Sequence, residues 1–388
     1  MRDFVSEKVK QLPYSGIREI FDLAAGLDDV IHFEIGEPDF DTPLPIVNSA
    51  FEAVKKGMTH YTSSAGLPAL RAKLADQLAK EIGALVLPDE IVITAGGMEA
   101  LFLLMSAVLD QDDEVLFPTP HWPNYAAHVL MGGGRYRKYR LDDTQGFRVD
   151  LQSLEAQVSP ATKVLLINSP HNPTGMVLSL KELDQLAQFA KEHDLLVCSD
   201  EAYYTLLFDH AEPCSIASLP GMKERTVVIR TFSKTYAMTG WRVGYLMGPK
   251  PLAQRIAKLH EHTSACTSSV SQAAGMKALD LPPDIPQNMV DQYQKRRDVL
   301  IEGLNHISNV QVSKPEGAFY AFVNVKRLGL SSFDLSRLLL EEAHVAVAPG
   351  TAFGKEGEGH IRLCFANSLT NIKEGLARMK PVLEALPK

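Results

Sequence analysis

Residues 231–245 read TFSKTYAMTGWRVGY, a run that sets one lysine between short hydroxyl residues and an arginine in a glycine-broken, otherwise apolar setting. A lysine that forms an imine with an aldehyde must be held at one point. An aldehyde cofactor carrying a phosphate also needs a cation and several donors at a fixed distance from that imine. Lys234, with Thr231 and Ser233 just before it and Arg242 eight residues on, supplies such a set. The planar fork of Arg242 suits two phosphate oxygens at once. Taken alone, a Ser-Lys pair reads as ordinary surface, so the weight of this run depends on its surroundings.

Working outward, the run follows a branched apolar strand at 226–230, and the same pattern of strand, then polar loop, recurs upstream. A strand at 91–94 enters Ala95-Gly96-Gly97 and an apolar helix, whose first turn leaves amides free to face an anion. A strand at 114–117 delivers Pro120-His121-Trp122-Pro123. Trp122 suits either a packing anchor or a stacking face for a flat ring. The strand at 163–167 opens into the loop 168–175, NSPHNPTG, and Ser179 with Glu182 forms a capping box for a helix at 181–193. Residues 195–198 form a strand ending in Ser-Asp-Glu-Ala-Tyr at 199–203. Such alternation predicts an α/β fold with a mostly parallel sheet flanked by helices, and ligand groups gathered beyond the carboxyl ends of its strands. Asn172, Asp200 and Lys234 all lie just past such ends.

Before this region, an arm and a short helix near 16–25 lead to an apolar segment, 30–35, and to the turn Gly36-Glu37-Pro38-Asp39. A helix near 45–56 and an amphipathic helix carrying Leu70, Leu74 and Leu78 follow. After it, one long helical region is expected over 251–279, and the Pro-rich break at 281–286 is the best boundary in the chain. Beyond lie a helix at 286–305, strands at 309–313 and 318–325, a helix capped by Ser331 and Asp334, further short strands and a last helix at 370–386. Three divisions are expected: 1–45 as arm and part of a small domain, 46–280 as the large domain, and 281–388 as the small domain.

A chain of 388 residues accommodates two cores. Its 39 basic and 47 acidic residues leave a net charge of -8, which favours neither nucleic acid nor anionic membrane as a partner. Cys198, Cys214, Cys266 and Cys364 match no metal or disulfide framework. With no signal-like apolar run in 1–16 and no stretch of membrane-spanning length, a cytoplasmic protein without metal is expected.

The run at 231–245 resembles the pyridoxal-phosphate lysine motif of class I and II aminotransferases, S-x-S-K-x-x-x-x-x-G-x-R-x-G, with Lys234, Gly240, Arg242 and Gly244 in place. Six further blocks stand in the family's order: IGEPDF at 35–40, YTSSAGLPALR at 61–71, TAGGMEAL at 94–101, NSPHNPTG at 168–175, SDEAY at 199–203 and RLCFANS at 362–368. The chain is thus similar to fold type I enzymes of the bacterial aspartate and aromatic branch. The resemblance implies a large domain, a smaller α/β domain and pyridoxal 5'-phosphate. It also implies transfer of an amino group from an L-amino acid to a 2-oxo acid in two half-reactions. In that reading Lys234 carries the cofactor as an imine and then moves the substrate proton, while Asp200 keeps the pyridine nitrogen protonated. Asn172 and Tyr203 bond the ring oxygen, and Trp122 stacks on the ring where tyrosine is common. The amides of Gly97 and Met98 hold the phosphate with Thr231, Ser233 and Arg242. Tyr61 reaches the phosphate in a neighbouring subunit, implying a homodimer with shared sites. Arg362 clamps the substrate carboxylate with Asn172 and backbone near Gly36.

Met98 departs from the serine or threonine of many relatives, and His121 has no assigned role beyond that of a neighbour. A carbon-sulfur β-lyase, or a replacing or cyclising enzyme on the same scaffold, shares these residues and stays open as an alternative. A ligand-sensing regulator would need a DNA-binding domain, and no basic recognition helix is legible. For a substrate side-chain carboxylate no second arginine stands out, leaving Arg18, Arg135 and Arg137 open. Residues 14–17, and 263–268 of a partner subunit, are small or apolar and lean towards neutral or aromatic amino acids.

Overall fold

In the computed structural model, which describes residues 2–12 and 16–386, strands alternate with helices along most of the chain. After β1 (Ile31–His32) come β2 (Ile91–Thr94), β3 (Glu114–Thr119), β4 (Arg135–Asp142), β5 (Arg148–Val149), β6 (Thr162–Asn168), β7 (Leu196–Asp200), β8 (Thr226–Thr231) and β9 (Gly244–Met247). Strands β2 to β9 form one eight-stranded sheet in the order β2-β9-β8-β7-β6-β3-β4-β5. The run from β8 to β4 is parallel, while β9 is antiparallel to both its neighbours and β5 to β4.

Side chains alternate across a strand, so each central strand feeds two cores. Along β6, Val164 and Leu166 join Leu101 and Leu104 of the helix Gly97–Val108. Leu165 and Ile167 join Leu183 and Leu186 of the helix Leu180–Glu192. Burial on both faces explains why these strands read as unbroken apolar runs. The Ser179–Glu182 capping box forms as expected, and Leu70, Leu74 and Leu78 are fully buried on the helix Pro68–Ile82.

The smaller part contains β10 (Gln311–Val312), β11 (Tyr320–Asn324), β12 (Val345–Ala346), β13 (Ala348–Pro349) and β14 (His360–Cys364). Four of these form the antiparallel order β10-β11-β14-β13, and β12 pairs with β1 in parallel. Helix Gly16–Ala24 sets Ile20 and Ala24 against Leu340 and Ala346, so the arm packs on this part. Cys198 and Cys364 are buried, and the four cysteines are free.

Three expectations need correction. The long helical region over 251–279 is two helices, Lys250–Thr263 and Ser269–Ala278. Ala265 between them has φ +61°, and Ser268 restarts the helix by accepting the Ser271 amide. The following helix begins at Asp284 rather than 286, because Pro286 falls in its first turn, where a missing N–H breaks no helical bond. The strands at 309–313 and 318–325 shorten to β10 and β11, since Asn309 and Ala318 hold positive φ.

The reversed direction of β9 matters for the site. The carboxyl ends of β2, β3, β6, β7 and β8 share one rim. Because β9 runs the other way, the residues that precede it, Arg242 among them, reach that same rim.

Candidate active site

A cavity of about 540 Å³ opens at this rim. Its wall includes Lys234, Ser233, Thr231 and Arg242 from the lysine run, with Gly97 and Met98 from the turn after β2. Trp122, Asn172, Asp200 and Tyr203 line it from the ends of β3, β6 and β7, and Gly36 and Arg362 close it from the smaller part. Tyr61 is the exception among the expected site residues: it is 88% exposed and lies outside this wall.

Lys234 Nζ donates to the Gly36 carbonyl at 2.7 Å. Burial pulls its pKa down to about 8, with Arg362 and Arg242 pushing the same way and Cys364 and Glu37 opposing. Burial thus favours the neutral amine that imine formation needs. Asp200 is buried at the end of β7, where burial pushes its carboxyl up to about 6. It accepts from Tyr125 Oη at 2.6 Å and from the Ala202 amide at 3.1 Å, both of which favour the charged form.

At the end of the cavity lined by Arg242, Gly96 has φ +85°, and a Cβ there would stand 2.8 Å from Arg242 Nη2. The positive φ calls for glycine, and the missing side chain leaves room for the guanidinium. Arg242 is held by the Ala95 and Thr239 carbonyls at 3.2 and 2.8 Å. Thr231 Oγ1 lies 2.8 Å from Ser233 Oγ, and the helix Gly97–Val108 opens beside them with its first amides free. Met98, 37% exposed, brings no hydroxyl.

At the opposite end, Arg362 is buried between the rings of Tyr320 and Phe353, 4.4 and 4.7 Å from their centroids. It donates to the Glu34 carbonyl at 2.5 Å and to Asn172 Oδ1 at 3.2 Å, while its Nε has no protein partner among the described residues. A buried guanidinium with an unused donor suits a carboxylate ligand. Tyr203 Oη lies 2.7 Å from Tyr320 Oη.

These groups fit a flat phosphorylated aldehyde. A cation, two hydroxyls and free amides stand at one end, an amine of depressed pKa in the middle, and a buried carboxylate faces in at the base. A protonated ring nitrogen placed there would stabilise that carboxylate.

Tyr125 and Tyr320 were not singled out in the sequence. Tyr125 follows Trp122 by three residues, a spacing that does not by itself mark a site, and Tyr320 is one aromatic in an apolar strand. His121 is buried against Phe117 with its centroid 4.8 Å away, does not line the cavity, and is pushed by burial to a pKa of about 3. It is a neighbour. Arg135 and Arg137 sit at the amino end of β4, far from the rim, paired with Asp112 and Glu114 at 2.6 and 2.8 Å. Arg18 does line the cavity with Ile17 and Phe21, and pairs with Asp22. Tyr14 lies outside the described residues.

The family model of aminotransferase class I and II matches residues 28–379. An aspartate aminotransferase of Pyrococcus abyssi is 42% identical over 382 residues, covering 98% of each chain. An aromatic-amino-acid aminotransferase 2 of Thermococcus litoralis is 39% identical over 383 residues, again covering 98% of each. The crystal structure of Pyrococcus protein-A1 superposes with a TM-score of 0.95 at 41% identity, covering 97% of this chain and 98% of that one. With that coverage and the cavity's own donor set, the chain belongs to the class I and II aminotransferases, fold type I enzymes that move amino groups with pyridoxal 5'-phosphate.

Proposed function

We propose that this aminotransferase takes the amino group from neutral and aromatic L-amino acids and passes it to a 2-oxo acid. The observation that carries the proposal is the apolar flank of Ile17, Phe21 and Ile35 on the cavity that also holds Lys234 and Arg362. Bound pyridoxal phosphate supplies an aldehyde and an electron-withdrawing ring. Gly97 and Met98 amides, with Thr231, Ser233 and Arg242, would hold its phosphate, Trp122 would stack on its ring, and Asn172 and Tyr203 would bond the ring oxygen. Asp200 would hold the proton on the ring nitrogen. Lys234 would anchor the aldehyde and, freed from it, would carry the proton from the substrate Cα to the carbon that held that aldehyde. Arg362, with Asn172 and the backbone at Gly36, orients the α-carboxylate so that the Cα–H bond faces Lys234.

Arg18 on the same wall supports a second reading, in which a side-chain carboxylate also binds. A panel of amino donors, each added to holoenzyme while the cofactor absorption is followed, separates the two. Phenylalanine, tyrosine and leucine should exceed aspartate and glutamate by about tenfold or more in kcat/KM. Activity confined to aspartate and glutamate would sink the first reading, and pyruvate with ammonia in the absence of acceptor would point to lyase chemistry.

The exposure of Tyr61 away from its own cavity supports a homodimer in which that ring completes the partner's phosphate site. Mixing Tyr61→Phe and Lys234→Ala chains tests this through the cofactor affinity of the hybrid. Boundaries near residues 45 and 280 fit the division between the eight-stranded sheet and the two smaller ones. Among the described residues no helix is long and apolar enough to cross a membrane, and a cytoplasmic location agrees with four free cysteines.

A further inference from the structure

We propose that the Tyr320 hydroxyl donates its proton to Tyr203 and thereby directs the Tyr203 proton to the ring oxygen of the cofactor. Tyr320 is thus a positioning residue acting through Tyr203, and the inference rests on the assignment of Tyr203 to that oxygen.

The two hydroxyl oxygens lie 2.7 Å apart, and both rings are buried. A phenol carries one proton but can accept as well. If Tyr203 gives its proton to the cofactor, the bond between the tyrosines must be made with the proton of Tyr320. The fold holds Tyr320 in that pose from several sides. Its ring packs under Arg362 at 4.4 Å and edge-on to Tyr203 and Phe319, with centroids 5.6 and 4.9 Å away. A Cβ on Gly36 would come within 2.2 Å of the Tyr320 hydroxyl oxygen, so glycine at 36 is what leaves room for this hydroxyl. The carbonyl of the same glycine accepts from Lys234. Tyr320 therefore touches the carboxylate clamp and the ring-tuning tyrosine at once.

The test is a spectrophotometric pH titration of the bound cofactor in the holoenzyme and its variants. Donation to the ring oxygen weakens its hold on the proton it shares with the Lys234 nitrogen, so Tyr203→Phe should raise the midpoint. Tyr320→Phe should raise it by less, about 0.5 pH unit or roughly threefold in proton affinity, because a hydroxyl that accepts a bond is a stronger donor. In the Tyr203→Phe background, Tyr320→Phe should add nothing. A merely structural role would lower the melting temperature and leave the midpoint where it was. A lowered midpoint in Tyr320→Phe would overturn the proposal outright, since it means that the bond runs from Tyr203 to Tyr320 and that its loss frees the Tyr203 proton. An unchanged midpoint, or an equal shift in both backgrounds, would overturn it too. If Tyr203→Phe itself leaves the midpoint unmoved, the assignment of Tyr203 falls and takes this inference with it.

Discussion

The two ends of the cavity are built in different ways. The phosphate end stands on the rim of a single sheet, where the turn after β2, the residues before β9 and the lysine run after β8 are carried by adjacent strands. The carboxylate end is assembled across the chain: Arg362 from β14 bonds the backbone of Glu34, 328 residues away, and Asn172, 190 residues away. Sheet hydrogen bonding fixes the first end to within the tolerance of a strand ladder. The second end depends on the smaller part staying in register with the larger. A resident cofactor can use the rigid rim, whereas a substrate that must come and go meets the composite end.

This contrast gives graded expectations. Lys234→Ala should lower the rate of the first half-reaction roughly a thousandfold or more, with substrate affinity nearly unchanged, as measured by single-turnover kinetics. Asp200→Asn should cost several hundredfold in kcat, because it removes the charge that stabilises the protonated ring nitrogen. It also has a thermodynamic signature in the apoprotein. The folded pKa of Asp200, about 6, exceeds its ordinary 3.8, so the folded state binds more protons between those values and loses stability as pH rises through that window. Asp200→Asn apoprotein should therefore melt higher than the parent at pH 7, and calorimetry should find the difference gone below pH 4.

Arg362→Lys should lower kcat/KM about a hundredfold, mostly through KM, since a point charge replaces a two-pronged donor. A loss carried equally by kcat would break the distinction between the two ends. The smallest effect belongs to Tyr125→Phe, about tenfold in kcat. Loss of its hydrogen bond should also push the Asp200 carboxyl further up and widen the pH window over which the apoprotein loses stability.

How much of this was legible follows the same division. The residues of the lysine run and of the turn after β2 lie in short motifs, and they meet in the cavity because neighbouring strands end at one rim. Tyr125 and Tyr320 were not legible as site residues. One is a helix residue whose hydroxyl finds Asp200 from 75 positions away, and the other is one apolar-strand aromatic among several. The helix break at 264–268 escaped because Ala265 offers no warning of a positive φ, a conformation that alanine seldom adopts.

The three arginines make the boundary concrete. From the residues alone Arg18, Arg135 and Arg137 were equivalent candidates for a side-chain carboxylate. Tertiary structure separated them: Arg135 and Arg137 lie at the amino end of a parallel strand, opposite the rim, while Arg18 rides on a helix that packs over the cavity. By itself the sequence determined the reactive groups, their local backbone settings and the alternation that makes a parallel sheet, because all of these are properties of neighbouring residues. Tertiary structure alone decided which distant side chains share a proton or a ligand, because that depends on how helices and sheets pack, and a hydrogen bond between residues 203 and 320 leaves no trace in the spacing of either.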